Sequence, residues 1–258
     1  QEREAPAGRF AFHPTYENSG MFLARCLGNN ATTGPSGADY THTYTLGILE
    51  SSTMELRRGT LFSGSAATSE VFEGVKFGRT RWRVSAGGLL VQEVDWTAET
   101  AAARGAAGSP TYGTGVTPVR ASQAGSLSFN SATYTTLHDL DIELDHGLID
   151  RLRLGSLLAA EPAQGTATCK GKITLDYEAD ALYTALVAGT QSDLAITFTS
   201  AALTWTFTLQ NAYIEDVQES VQGHDLIRLT VAFRGIGDGT DHGLKVTVGN
   251  TQSTATAN

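Results

Sequence analysis

Few residues in this chain could do chemistry together, and their spacing decides what that chemistry would be. Asp139, Asp141 and Glu143 alternate with Leu140, Ile142 and Leu144, and residues two apart in an extended strand share a face at about 7 Å per step. Carboxyl groups at such separations serve glycosidases as acid and nucleophile or base. A sugar cleft would also want aromatic side chains beside the acids, whereas the intervening residues here belong to a core. The stripe is therefore read as an acidic wall facing solvent. His138 and His146 stand eight positions apart, on one strand face but too far apart to share a metal ion, and read as a surface pair. Asp238, Asp241 and His242 fall in a glycine-rich turn that lacks the acidic count and glycine placement of a calcium loop.

Nucleophile and phosphate chemistry find no better footing. Cys26 and Cys169 have no adjacent histidine to activate them and make neither a disulfide framework nor a zinc site, so each is expected as a buried free thiol. Gly235-Ile236-Gly237-Asp238-Gly239 follows a strand-like run, but no helix follows to set its dipole behind the glycines and cradle a phosphate. No Gly-x-Ser-x-Gly elbow or Gly-Lys-Ser/Thr loop occurs. No catalytic residue, cofactor or metal is assigned, and the chain reads as non-enzymatic.

Composition points the same way. The 258 residues are 41% hydrophobic and 17% charged, which suffices for a core without disulfide support. Thirty-four Thr and 28 Gly against 4 Lys and 2 Met favour pleated, half-solvated strands and their turns. A net charge of -9 excludes the phosphate-neutralising surface of a nucleic-acid binder, although an acidic wall can still repel DNA. No apolar run reaches membrane-spanning length and the N-terminus lacks an apolar signal core, so no membrane is assigned.

The period-two patterning predicts an all-β, mainly antiparallel fold. The expected form is a β-sandwich or barrel with one or two short flanking helices, a long loop and terminal arms. Arg79, Arg81 and Arg83 alternate with Thr80, Trp82 and Val84, and Gly87-Gly88 turns the chain into Leu89 to Thr97. This hairpin brings its arginines towards Glu93 and Asp95 across the ladder. Strands follow at Leu137 to Leu144, Thr166 to Tyr177, Leu194 to Thr199, Leu203 to Leu209 and Asp225 to Arg234, with one more at Leu244 to Val248. Helices are predicted over Pro14 to Leu27 and between Asp180 and Gly189, the second along the apolar stripe Leu182, Tyr183, Leu186 and Val187. Residues 1–9 form an N-terminal arm, 10–236 one domain with long loops near 29–68 and 101–126, and 237–258 a C-terminal arm. No repeat or proline-rich linker divides the chain.

The stretches Phe72 to Gly78 running into the Arg79 hairpin, Leu137 to Leu148 ending near Leu154-Gly155-Ser156, and Gly165 to Gly235, with Tyr40 to Thr45 upstream, resemble the tail tube (major tail) proteins of long-tailed, siphovirus-type bacteriophages. The likeness lies in the order of strands and the short helix. It implies a β-sandwich subunit without catalytic residues, a homo-oligomer of hexameric rings stacked into a hollow tube for genome ejection. The implied partners are a tape measure protein and viral DNA in the lumen, the latter without sequence-specific binding, and tail terminator and distal tail proteins. The implied location is the virion, after assembly in the bacterial host cytoplasm. Open strand edges completed by neighbouring copies would close such a ring. DNA must slide through it, which a hydrated lining poor in cations allows; Asp139, Asp141 and Glu143, or Thr204, Thr206 and Thr208, are expected to supply part of that lining. Competing readings are another β-rich phage assembly protein, such as a tail terminator, baseplate or capsid-decorating subunit, and a carbohydrate-binding sandwich with Trp82, Trp96 or Trp205 exposed. Period-two placement puts Trp82 and Trp205 with the core instead.

Overall fold

The computed structural model of the chain describes residues 5–36, 39–58, 68–101, 105–106, 117–151, 160–177, 180–220, 227–237 and 243–255. The chain runs through β1 (Ala7–Phe12), α1 (Gly20–Leu27), β2 (Gly28–Ser36), β3 (Asp39–Leu46), β4 (Ser52–Arg58), β5 (Thr68–Ser85), β6 (Val91–Thr97) and the two-residue β7 (Thr100–Ala101) and β8 (Gly105–Ala106). It continues through β9 (Ala124–Phe129), β10 (Ala132–Tyr134), β11 (Leu137–Asp145), β12 (Ile149–Arg151), β13 (Ala160–Ala163) and β14 (Thr168–Asp176). The last elements are α2 (Ala181–Ala188), β15 (Gln191–Ser200), β16 (Leu203–Ser220), β17 (Arg228–Gly235) and β18 (Leu244–Asn250).

Antiparallel pairing arranges most of these strands as two layers, while β4, β7 and β8 pair with β5 and β12 pairs with β13 separately. The first runs β1-β6-β5-β11-β14-β17 and ends on the C-terminal part of β16. The second runs β10-β9-β15, takes in the N-terminal part of β16, and continues through β18 and β3 to β2. Strand β16 therefore belongs to both. It changes layer around Asn211, whose φ of 46° is left-handed, a conformation asparagine tolerates better than most residues. The bend withdraws backbone groups from the ladder, yet they stay paired: Gln210 N–H donates to Gly243 O at 3.1 Å and Asn211 N–H to Asp193 Oδ1 at 3.0 Å.

Alternation along each strand turns one set of side chains inward. Trp82, Ile142 and Ile173 from the first layer and Phe198, Phe207 and Val246 from the second fill one core. The Trp82 and Phe207 rings meet at 5.6 Å between centroids, so the layers stack face to face as a sandwich. Helix α1 covers the end formed by β1, β6 and β5, where Cys26, Phe77, Val94 and Trp96 gather with Phe10, Phe12 and Phe22.

Several elements differ from the sequence expectations for identifiable reasons. The first helix starts at Gly20 rather than Pro14, because the preceding residues bond elsewhere: Tyr16 N–H donates to Thr117 O and Val119 N–H to Pro14 O, each at 3.1 Å. Gly20 itself is required there, since a Cβ would lie 2.0 Å from the Ala255 carbonyl oxygen. Of the stretch Asn29 to Asp39, expected as a loop, the residues up to Ser36 belong to β2, which pairs with β3; β2 is exposed on both faces over residues 29–35 and so carries no apolar alternation. The strand expected at Leu244 to Val248 is present as β18, and within the segment 237–258, expected as an arm, it lies between β16 and β3 with Leu244, Val246 and Val248 buried. In α2 only Leu182 and Ala185 are buried, while Tyr183 and Val187 of the expected stripe are exposed. Of the loop expected at 101–126, part lies outside the described residues, and β9 already begins at Ala124.

Candidate functional site: two polar faces of the sandwich

The outward positions of the first layer form a charged face. Register places Arg79, Arg81 and Arg83 of β5 opposite Asp145, Glu143 and Asp141 of β11, and Lys170 and Lys172 of β14 opposite Glu143 and Asp141 on the other side. Side chains reach diagonally as well as straight across. Arg81 Nε donates to Asp141 Oδ1 at 2.7 Å with a second bond from its Nη2 to Oδ2, Arg79 pairs with Glu143, and Lys170 Nζ lies 3.4 Å from the same carboxylate. Bidentate contact of this kind joins charge to fixed geometry. Burial alone would raise the Glu143 carboxyl pKa, but Arg79 and Lys170 outweigh it and hold it below the usual value. Hydrogen bonding to Asp141 likewise raises Arg81. The stripe Asp139, Asp141 and Glu143 does share one outward face. Two of its three members are claimed by cations, however, and of the three only Asp139 is exposed, between Ser85 and Thr174 in the register. Within the predicted hairpin the Arg83–Glu93 pair forms, whereas Arg79 and Arg81 turn to β11 instead.

The outward positions of the second layer form a face of different character. Thr206 of β16 stands between Thr197 of β15 and Thr247 of β18, and Thr247 in turn faces Thr43 of β3. The neighbouring row runs Thr199, Thr204, Gly249, Thr41, and the one on the other side Ala195, Thr208, Lys245, Thr45. The hydroxyls of Thr197 and Thr206 are 2.9 Å apart and hydrogen-bonded. Lys245 is the one charged side chain in these three rows. Thr204, Thr206 and Thr208 thus belong to a face that crosses four strands, not their own alone. The alternation of Thr41, Thr43 and Thr45 with His42, Tyr44 and Leu46 was the signal that could have extended it. Both polar faces point away from the shared core, from opposite layers, so the two candidate linings lie on opposite surfaces of the subunit.

The remaining candidates are structural. His138 is half-buried with Nε2 at 2.8 Å from Asp176 Oδ1. His146, expected at the surface with it, is fully buried. Its Nε2 donates to Cys26 O at 2.7 Å, and its Nδ1 accepts from Gln164 Nε2 at 3.3 Å, so the ring is held neutral. The Gln164 amide also donates to Gly47 O at 3.0 Å and accepts from Leu49 N–H at 2.9 Å, which ties the end of α1 to two connecting segments. Burial lowers the His146 pKa from its ordinary 6.5, against the pull of the Cys26 carbonyl and Asp145. The unfolded chain takes up this proton first, so the stability is complete above about 6.5 and is lost as pH falls from there through the lower folded value. Urea midpoints measured between about pH 7.5 and about pH 5 should fall more steeply for the native protein than for His146→Leu, and parallel slopes would refute the assignment.

Both cysteines are buried and free, and burial pushes each thiol up to about 12. Trp82, Trp96 and Trp205 are all buried, which leaves none of them for an aromatic sugar platform. Among the described residues no group of three His, Cys, Asp or Glu could hold a metal ion, and no helix is long and apolar enough to cross a membrane. Asp238, Asp241 and His242 lie outside the described residues.

No curated protein matches the chain. One family profile does, described as phage tail tube protein, over residues 5–235. That stretch holds every strand of both layers except β18. A match over that much of the length establishes that the chain, an antiparallel β-sandwich, belongs to the phage tail tube proteins, a structural family of the virion.

Proposed function

We propose that this protein is the repeating subunit of a phage tail tube: copies close into rings, hexameric as the family resemblance implies, and the rings stack into the channel through which the genome is ejected. The observation that carries this reading is the family match over residues 5–235. Sheet edges support it. Among the described residues β1 pairs only with β6, β2 only with β3 and β10 only with β9, and an open edge invites pairing with the next copy until a ring removes it. On this reading the channel holds the tape measure protein and then DNA, gripped by neither sequence nor charge, while terminator and distal tail proteins close the ends. The subunit performs no catalysis, is assembled in the host cytoplasm and resides in the virion. Asp139, Asp141 and Glu143 on one face, or Thr204, Thr206 and Thr208 on the other, line the channel. Electron micrographs of the purified protein at high concentration should show tubes of uniform width. Closed rings that never stack would favour a terminator or baseplate role, and a dispersed monomer would sink the reading.

A further inference from the structure

Building on the tube reading, we infer that the threonine face of the second layer, and not the charged face of the first, is turned to the channel, where it passes a hydrated polyanion such as duplex DNA. Proteins that hold DNA do so through Arg and Lys on phosphates. On the charged face the cations form the outermost layer. Arg79 and Arg83 are 42% and 44% exposed while their partners Glu143 and Glu93 are 14% and 21% exposed, and Lys170 is 57% exposed over the same Glu143. Beside the exposed Asp139, a passing phosphate would meet these guanidinium and ammonium heads before Glu143 or Glu93, and a phosphate oxygen is as good a partner for Arg as the carboxylate it would replace. That surface would hold the duplex, not release it.

The threonine face offers nothing of the kind. The row Thr197, Thr206, Thr247, Thr43 crosses four strands without a charge, and the rows beside it add only Lys245. A neutral hydroxyl exchanges a phosphate oxygen for water at little net gain, and β-branched side chains on a sheet are stiff enough to keep the wall even. Such a lining lets the duplex slide on its own hydration rather than on repulsion by carboxylates.

Because both native cysteines are buried, a single introduced cysteine reports the face it occupies. In assembled tubes Thr206→Cys should react with N-ethylmaleimide, which enters a channel, and lose its reaction with maleimide coupled to a carrier protein too large to enter. Asp139→Cys should react with both reagents. Thr247→Cys supplies the same readout if Thr206→Cys fails to assemble. Carrier labelling of Thr206→Cys in intact tubes overturns the inference while leaving the tube reading in place. Silence of Thr206→Cys towards N-ethylmaleimide places it in a subunit contact and overturns it too, as does protection of Asp139→Cys from the carrier. Absence of tubes in micrographs of the unmodified protein overturns the tube reading itself, and this inference with it.

Discussion

Gly171→Val should abolish soluble, folded protein. Gly171 lies in β14 between Ile142 of β11 and Phe233 of β17, pointing inward, and a Cβ there would sit 2.4 Å from the Asp141 carbonyl oxygen and 2.7 Å from the Phe233 ring. Neither neighbour can give way: one is ladder backbone, and the other is a fully buried ring in the core. Overpacking of this kind costs about 3 kcal/mol or more, a large share of the roughly 5–15 kcal/mol that holds an ordinary domain together. The strand also flanks β11 in the charged face, so its displacement would break the Lys170–Glu143 contact. Soluble yield and urea unfolding test the point, with Gly171→Ala as a milder change in the same direction. A valine variant with the native midpoint would show that β14 does not pack as described.

The second large effect is expected at Trp82, the ring through which the two layers touch. It is fully buried against Phe207, and truncation to alanine should cost about 3–5 kcal/mol through lost burial and the cavity left behind. Trp82→Phe should cost far less, because it keeps an aromatic ring at the contact and discards an indole N–H that has no acceptor among the described residues. Equilibrium urea unfolding of the two variants separates these outcomes. A loss below about 1 kcal/mol for the alanine variant would mean that the layers are not joined through this ring.

What the sequence revealed followed from environment. Strands with one dry and one wet face announced themselves by strict alternation, and β11, β14, β15 and the first half of β16 lie where that alternation put them. The 18-residue spans of β5 and β16 did not show, because each strand passes from one set of neighbours to another and no single period covers both parts. Exposure on both faces hid β2. Asp139, Asp141 and Glu143 were legible as a stripe, but not as a paired one: the arginine that claims Asp141 is 60 positions away, and only the β5–β11 register brings the two together. Nor could any local pattern reveal that the acid stripe and the threonines occupy opposite surfaces, since that depends on which layer each strand joins. His146 continues the inward series Leu140, Ile142, Leu144 one position beyond the end of β11, whereas His138, of the same parity, sits at the irregular start of the strand and is only half-buried.

The bend of β16 at Asn211 has mechanical meaning. A sandwich held only by its filling can shear, one sheet gliding over the other as side chains repack. Here a continuous length of main chain is stitched into both, so sideways load on either is borne by covalent bonds and by ladders on each side of the corner. Gliding would have to unzip both ladders at once, which makes the subunit a stiff brick in any flexing filament built from it.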